Sequence, residues 1–195
     1  MQVPQQFSFQ LPAWIAPFLA EQSLPQSDRE RMALVLAAAR RNIDAQSGGP
    51  FAAALFSRAS GELLALGVNL VPPTAVATLH AEMVAIALAQ QQLHCYDLRQ
   101  IAAAPIDLYS SSEPCAMCLG AVVWSGVARL LFATNDTAVR AIGFDEGDKP
   151  DHWPARMAAR GITVEAGLLQ AEGEAILHYY QQQGGVIYNS KSLIS

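Results

Sequence analysis

The sequence predicts a single α/β domain in which helices cover both faces of a mixed five-stranded sheet, a three-layer α/β/α arrangement. Its 195 residues are 52% hydrophobic and 15% charged, a composition typical of one domain with a large buried core. Predicted helices and strands alternate in the order α-β-β-α-β-α-β-α-β-α, which places helices on both sides of a sheet. The first two strands are expected to pair antiparallel, and the later β-α-β crossovers to be parallel and right-handed.

The N-terminal part of the chain separates into an extension and the start of the domain. Residues 1–26 are rich in Gln and Pro, with scattered aromatic side chains, and we expect them to pack on the domain surface or on a partner chain. Ser27-Asp28-Arg29-Glu30 has the form of a capping box and begins a helix that runs to about Gln46. We therefore divide the chain into an extension, 1–26, and a domain, 27–195, that includes the C-terminal tail.

The remaining elements follow from apolar runs bounded by Gly, Pro and polar clusters. A hairpin turn is expected at 57–61 and a loop at 72–74. The helix predicted at 79–92 is apolar almost all round, so we expect it to be buried against the sheet. The predicted strands are 51–56, 63–69, 106–110, 128–133 and 162–165, and the further predicted helices are 79–92, 114–125, 137–142, 154–160 and 168–182.

The charge and cysteine content indicate which binding partners and which cellular compartment to expect. The net charge is −5 without a basic stripe, which disfavours a nucleic-acid polymer as partner. A signal peptide requires a basic N-terminal region, and no cation precedes Arg29. Prolines interrupt the uncharged run Leu63–Leu79, so we expect no membrane span. Three cysteines, an odd number, make disulfides improbable and favour the cytoplasm.

Two cysteines have the spacing of metal ligands. Cys115 and Cys118 follow Pro114 at the start of a predicted helix, where free N–H groups favour thiolates and where positions i and i+3 share one face. Two thiolates make half of a zinc site, and His80, at the head of another helix, is the best third ligand. A site with three protein ligands keeps an open fourth position, which is the catalytic pattern.

Glu82 is the candidate proton carrier for that open position. Zinc lowers the pKa of a bound water to about 7, and Glu82 lies two residues from His80, so it can reach that water. A carboxyl group with an ordinary pKa is poorly matched to this task. We therefore expect a dry site that raises the pKa of Glu82.

The two motifs together resemble the zinc-dependent nucleobase and nucleoside deaminases, for which H-x-E…P-C-x-x-C is the known signature. They are His80-Ala81-Glu82 and Pro114-Cys115-Ala116-Met117-Cys118. The resemblance covers roughly residues 27–190 and implies a cytidine-deaminase-like fold with one zinc ion per chain. Within that superfamily the chain looks most like the bacterial guanine deaminases, on the segments 49–51, Asn69, 124–126, 142–147 and 185–189.

That resemblance also implies roles for residues outside the metal motifs. Glu146 is a second acidic group near the leaving amine, and Tyr188 belongs to a tail that closes a pocket, either its own or a neighbour's. Trp124 is expected to wall the pocket. The implied substrate contacts are Phe51, Asn69, Ala81, Trp124, Asp145 and Tyr188.

The expected activity is the hydrolysis of guanine to xanthine and ammonia by a homodimer that binds neither nucleic acid nor membrane. Alternatives are a deaminase of cytosine or an aminotriazine, a tRNA adenosine deaminase, or an inactive zinc-stabilised binding module. For several of these residues a purely structural role is also possible. The cysteines and His80 suit a closed structural site, Glu146 a solvated loop, Asn69 a turn, and Phe51 and Trp124 the core.

Overall fold

A computed structural model describes residues 3–101 and 105–190 and contains the expected five-stranded mixed sheet, in the order β2-β1-β3-β4-β5. The strands are β1 (Ala52–Ser57), β2 (Leu63–Val68), β3 (Ile106–Ser112), β4 (Arg129–Thr134) and β5 (Thr163–Ala166). The helices are α1 (Ile15–Ala20), α2 (Asp28–Asp44), α3 (Val71–Thr74), α4 (Ala81–Leu93), α5 (Ala116–Ser125), α6 (Asp136–Ala141), α7 (Trp153–Ala158) and α8 (Gln170–Gln182).

The sheet has an antiparallel half and a parallel half. β1 pairs antiparallel with both β2 and β3, while β3 with β4 and β4 with β5 are parallel. Helices α2 and α8 cover one face of the sheet, and α4, α5 and α7 cover the other, each over its own apolar cluster. The predicted three-layer architecture is therefore confirmed.

Local sequence signals place most element ends within two residues of their predicted positions. At the start of α2 the Ser27 hydroxyl accepts a hydrogen bond from the Glu30 backbone N–H, and the Glu30 carboxylate accepts one from the Ser27 N–H. Residues 72–74, predicted as a loop, lie in the short helix α3, because prolines fit the first helical turn. Helix α5 begins at Ala116 with Cys115 as its N-cap, two residues later than predicted.

The N-terminal extension packs on its own chain. Ile15 of α1 is buried in the core, and the Trp14 indole donates a hydrogen bond of 2.9 Å to the Ser47 hydroxyl. Phe9 and Phe18 pack against the same cluster. The predicted extension, 1–26, and domain, 27–195, include positions 1–2, 102–104 and 191–195, which lie outside the described residues. Within the described ranges, no helix is both long and apolar enough to cross a bilayer.

Two helix N-termini meet above the antiparallel half of the sheet. Helix α4 packs on β1 and β2 and also touches α5. Gly67 of β2 permits this close approach, since a side chain there would collide with the backbone of Ala81 and Ala85. As a result His80, the N-cap of α4, lies beside Cys115, the N-cap of α5.

Candidate active site

The three predicted metal ligands converge at those helix starts. A nitrogen of His80 and the sulfurs of Cys115 and Cys118 all lie within 4.8 Å of one another. Both cysteines are buried, and His80 is partly buried. One imidazole and two thiol groups form a donor set that suits zinc, so the residues present fit the ion that the motif implies.

The pKa values of the two cysteine thiols are shifted in opposite directions. A hydrogen bond from the Cys118 thiol, together with one from His80, lowers the pKa of Cys115 to about 4 despite burial. The same bond and burial raise the pKa of Cys118 well above its ordinary value. Burial alone would lower the pKa of His80, but the bond to Cys115 and the charge of that thiolate outweigh it and raise the pKa.

Glu82 lies in a dry position beside the metal ligands. It is 5% exposed, and its Oε1 accepts a hydrogen bond of 3.0 Å from the Ser110 hydroxyl. Its Oε2 lies 3.4 Å from the Cys118 sulfur. Burial, followed by the nearby Cys115 charge, raises the pKa of Glu82, as the sequence analysis expected for a proton carrier.

Glu146 reaches the same site from the loop between α6 and α7. It is 7% exposed, so the interpretation of a solvated loop acid is wrong. Burial and the Cys115 charge raise its pKa to about 8, although the neighbouring Lys149 opposes the rise. The site therefore holds two carboxyl groups with raised pKa values, a feature typical of general acid–base catalysis.

A cavity of about 350 Å³ lies over these groups. Its walls include the predicted metal ligands His80 and Cys115 together with Glu82 and Glu146. Five of the six predicted substrate contacts also line it: Phe51, Asn69, Ala81, Asp145 and Tyr188.

Trp124 does not reach the cavity, so its predicted place in the pocket wall of this chain is wrong. Cys118, Val122 and Ser125 turn one face of α5 inward, and Trp124 lies on the opposite face. Its side chain is 82% exposed. Trp124 is thus a surface residue of the described chain, neither a pocket wall nor a core aromatic.

Two polar groups in the cavity wall are buried without a hydrogen-bond partner among the described residues. The Asn69 side-chain oxygen accepts from the N–H groups of Gly49 and Val71, as a turn-stabilising residue would, but its amide nitrogen is unpaired. The Tyr188 phenol oxygen is also buried and unpaired. Unpaired buried polar groups are costly, which makes both groups candidates for binding a ligand.

The C-terminal tail closes the cavity of its own chain. The Tyr188 ring packs against Phe144, with ring centroids 4.9 Å apart, and Phe144 also contacts Phe51 at 5.1 Å. Asn189 fastens the tail by accepting from the Asp145 N–H at 2.9 Å and donating to the carbonyl of Gly143 at 2.8 Å. Of the two pockets that the tail was expected to close, its own or a neighbour's, it lines the one in its own chain.

Sequence reasoning missed two residues that contact the acidic groups. Ser110 donates to Glu82, and Lys149 lies 3.8 Å from the Glu146 carboxylate. A weak signal existed for each: Ser110 ends the predicted strand before the cysteine motif, and Lys149 is one of two lysines in the chain.

Comparison with known proteins agrees with this geometry. Residues 25–134 match the cytidine and deoxycytidylate deaminase zinc-binding region. A guanine deaminase of Bacillus subtilis is 36% identical over 114 residues, which are 55% of this chain and 69% of that protein. The solved structure of a guanine deaminase from Nitrosomonas europaea is 41% identical, with a TM-score of 0.87 over 93% of this chain and 100% of that one.

A further solved structure, of a protein in complex with 2,6-diaminopurine, is 44% identical, with a TM-score of 0.87 over 93% of this chain and 96% of that one. The match to the family covers more than half of the sequence and includes all three predicted metal ligands and Glu82. The chain belongs to the cytidine and deoxycytidylate deaminase zinc-binding family.

Proposed function

We propose that this chain is a zinc-dependent aminohydrolase that converts guanine and water to xanthine and ammonia. The observation that carries the proposal is the convergence of a His/Cys/Cys donor set, two buried carboxyl groups and an unpaired Asn69 amide on one small cavity. Similarity to guanine deaminases along nearly the whole chain supports the choice of substrate.

His80, Cys115 and Cys118 would hold the zinc ion. When bound, zinc supplies Lewis acidity that lowers the pKa of water. The chain contributes the fixed donor geometry at two helix N-termini, where the backbone dipoles favour the thiolate form of the cysteines. Burial of both cysteines limits the access of competing water.

Glu82 takes the first proton from water and delivers it to a ring nitrogen of the purine. Its raised pKa suits both steps, because burial makes the carboxylate a better proton acceptor than an exposed glutamate. The Ser110 hydroxyl holds one carboxylate oxygen in place, which leaves the other to turn between donor and acceptor.

Glu146 supplies the proton for the departing amine and takes up the second proton of the attacking water in its place. The C2–N bond breaks and a C2–O bond forms, and the two protons of water end on the ring nitrogen and on the amine, which leaves as ammonia. One carboxyl group could carry both protons only by moving between two places. The second buried acid on the cavity wall divides this work.

Substrate recognition uses the remaining cavity residues. Phe51 stacks on the purine, the Asn69 amide donates to an acceptor on the base edge, and Tyr188 closes the cavity over it. Asp145 and the backbone of Ala81 face the polar edge. A cavity of about 350 Å³ is at the small end of ligand sites, which favours a free base over a nucleoside or a tRNA loop.

An assay of ammonia release separates this proposal from its rivals. The metal-loaded protein is supplied with guanine, guanosine, adenine, cytosine, cytidine and an aminotriazine, and we expect turnover of guanine with none of guanosine. Preference for cytosine or the aminotriazine would replace the substrate, and activity on guanosine would contradict the closed cavity. Tight binding of guanine without ammonia release would favour a binding module.

We also infer that the chain forms a homodimer through the outer face of α5. That helix has no charged residue, and its outer face carries Met117, Gly120 and the exposed ring of Trp124. Gly120 has open space in front of it, so a second copy of α5 can approach closely, and one patch can serve both partners of a two-fold dimer. Sedimentation velocity should give the dimer mass for the native chain and a smaller mass for Trp124→Glu; a native monomer contradicts the inference.

A cytoplasmic location and a role in purine breakdown complete the proposal. The odd number of cysteines and the proposed use of two of them as metal ligands favour a reducing compartment. Hydrolysis replaces the C2 amino group of guanine with a carbonyl oxygen and leaves the oxidation state of C2 unchanged, so the next enzyme to act on the product would be one that works on an oxopurine.

A further inference from the structure

The side chain of Lys149 occupies a charged cluster behind Glu146 that the chemistry described so far does not use. Its ammonium lies 3.0 Å from Glu113 Oε1, 2.7 Å from Asp136 Oδ1 and 3.8 Å from Glu146 Oε2. The Lys149 side chain is 10% exposed and does not line the cavity. It therefore contacts Glu146 from the protein side and leaves the opposite side of that carboxylate for substrate.

The Glu146 carboxylate has few other restraints. Its backbone is fixed, because the Glu146 carbonyl accepts a hydrogen bond of 2.9 Å from the Ala116 N–H at the start of α5. Among the described residues, no hydrogen-bond donor reaches the Glu146 carboxylate. Lys149 is the one cation among those residues that lies within 4.0 Å of it. The position of the carboxylate thus depends on this ion pair.

Lys149 is itself held firmly. Glu113 accepts from the Trp153 indole at 3.1 Å on the oxygen that faces Lys149, and from the Asp136 backbone N–H at 3.1 Å on the other. Asp136 is fixed in turn by an ion pair of 2.6 Å with Arg140. The ammonium therefore has a defined place between the end of β3, the start of α6 and the loop that carries Glu146.

The charges around Lys149 also indicate that the position of the Glu146 carboxylate depends on this ammonium. Glu113, Asp136 and Glu146 are three acids around one ammonium; the side chain of Glu146 is buried and those of Glu113 and Asp136 are partly buried. Without Lys149 the two fixed carboxylates would repel Glu146 at close range in a medium of reduced dielectric constant. The movable one of the three, Glu146, would turn away from the other two or take up a proton.

We propose that Lys149 is a positioning residue for the reaction, whose ammonium, fixed by Glu113 and Asp136, holds the Glu146 carboxylate in the orientation from which it serves the leaving amine. This rests on the proposed role of Glu146 as the second proton carrier. Substrate binding by Phe51 and Asn69 does not involve Lys149, so its loss should reduce kcat and leave KM nearly unchanged. A misplacement of the order of 1 Å costs about 100-fold in rate.

The test is a double-mutant cycle on the zinc-loaded protein. Lys149→Met, Glu146→Gln and the double variant are assayed with the base that the native chain deaminates fastest, so that an error in the guanine assignment does not affect the result. We expect a 10- to 100-fold loss of kcat for Lys149→Met, unchanged zinc content, and no additional loss when Glu146 is already Gln. Lys149→Arg should recover most of the rate, because it keeps the charge.

Arg156→Met is the control for charge removal. Arg156 is an exposed cation of α7 that makes no ion pair within the described ranges, and its loss should leave kcat unchanged. If Lys149→Met does not fold, Lys149→Met with Asp136→Asn removes one charge of each sign and takes its place in the cycle. A kcat within twofold of native, or an equal loss in the Glu146→Gln background, overturns the proposal.

A crystal structure of Lys149→Met gives a readout that needs no turnover. We expect the Glu146 carboxylate to have left the cavity wall while the backbone hydrogen bond to Ala116 remains. An unmoved carboxylate refutes the positioning role even if the enzyme is slow.

Discussion

The hydrogen bond between Ser110 and Glu82 offers the sharpest test of the proposed chemistry. Ser110 is 1% exposed, and its hydroxyl donates to Glu82 Oε1 at 3.0 Å. Replacing it with Ala removes this donor and leaves Oε1 without a partner in a buried site. The other carboxylate oxygen keeps its contact with the Cys118 sulfur at 3.4 Å.

The expected loss follows from the energy of a charged hydrogen bond. Such bonds stabilise by about 1.5–3 kcal/mol. If the whole of that energy orients the Glu82 carboxylate in the transition state, kcat falls about 10- to 150-fold. The hydroxyl also lowers the pKa of Glu82 against the effect of burial, so its removal raises that pKa further.

The sign of the pH effect follows directly. Glu82 must be ionised to accept a proton, and a higher pKa keeps it protonated to a higher pH. The acidic limb of the kcat profile of Ser110→Ala should therefore move to higher pH. Conversion of guanine to xanthine, followed by absorbance across the pH range with zinc content measured in parallel, tests both the rate and the limb.

Ser111→Ala is a matched control from the same strand. The Ser111 hydroxyl accepts from the Ala52 N–H at 3.1 Å and does not line the cavity, so its loss should change stability and leave the pH profile unchanged. A Ser110→Ala enzyme with native kcat and a native acidic limb would refute the role assigned to this hydrogen bond. An equal shift in Ser111→Ala would show that the effect is not specific to Glu82.

Three further results are expected. Glu82→Gln should bind zinc normally and lose nearly all turnover, and ammonia release near the native rate would contradict the proton-carrier role. Zinc affinity, measured by competition with a chromophoric chelator, should rise with pH, because the Cys118 thiol must lose its proton to bind the metal. The expected rise is about tenfold per pH unit for each proton released. An affinity that does not change with pH would show that both sulfurs are already ionised. Gly67→Ala should destabilise by about 1–3 kcal/mol and lower Tm by roughly 2–12 °C, since the new methyl group collides with the backbone of α4; a native Tm would mean that α4 moves freely.

Features whose geometry is set by residues close together in the chain could be predicted from the sequence. The capping box at Ser27 and Glu30 fixes the start of α2 through contacts three residues apart. The convergence of His80, Cys115 and Cys118 could be predicted because each half of the candidate site is a short motif at a helix start. Two such starts need only one packing contact, α4 against α5, to assemble the site.

Predictions were wrong where the direction of a side chain depends on the rotation of a helix or on distant contacts. Trp124 was placed in the pocket by resemblance of its local sequence, whereas the inward face of α5, set by Cys118 and Val122, turns it to solvent. Lys149 could not be assigned a partner, because its three acids come from different segments of the chain. Nothing in the local sequence around Lys149 fixes those distances.

The end of β3 and its junction with α5 explain why these separate groups act as one site. Within six residues this junction supplies three contacts of the site: Ser110 bonds Glu82, Glu113 pairs with Lys149, and Cys115 is a proposed metal ligand. β3 lies between β1 and β4, so its end is enclosed on both sides and has little freedom to shift. A displacement of the junction would therefore move both proposed proton carriers and one proposed metal ligand together. Substitutions at these three positions should be strongly non-additive in kcat, unlike substitutions at distant and independent sites.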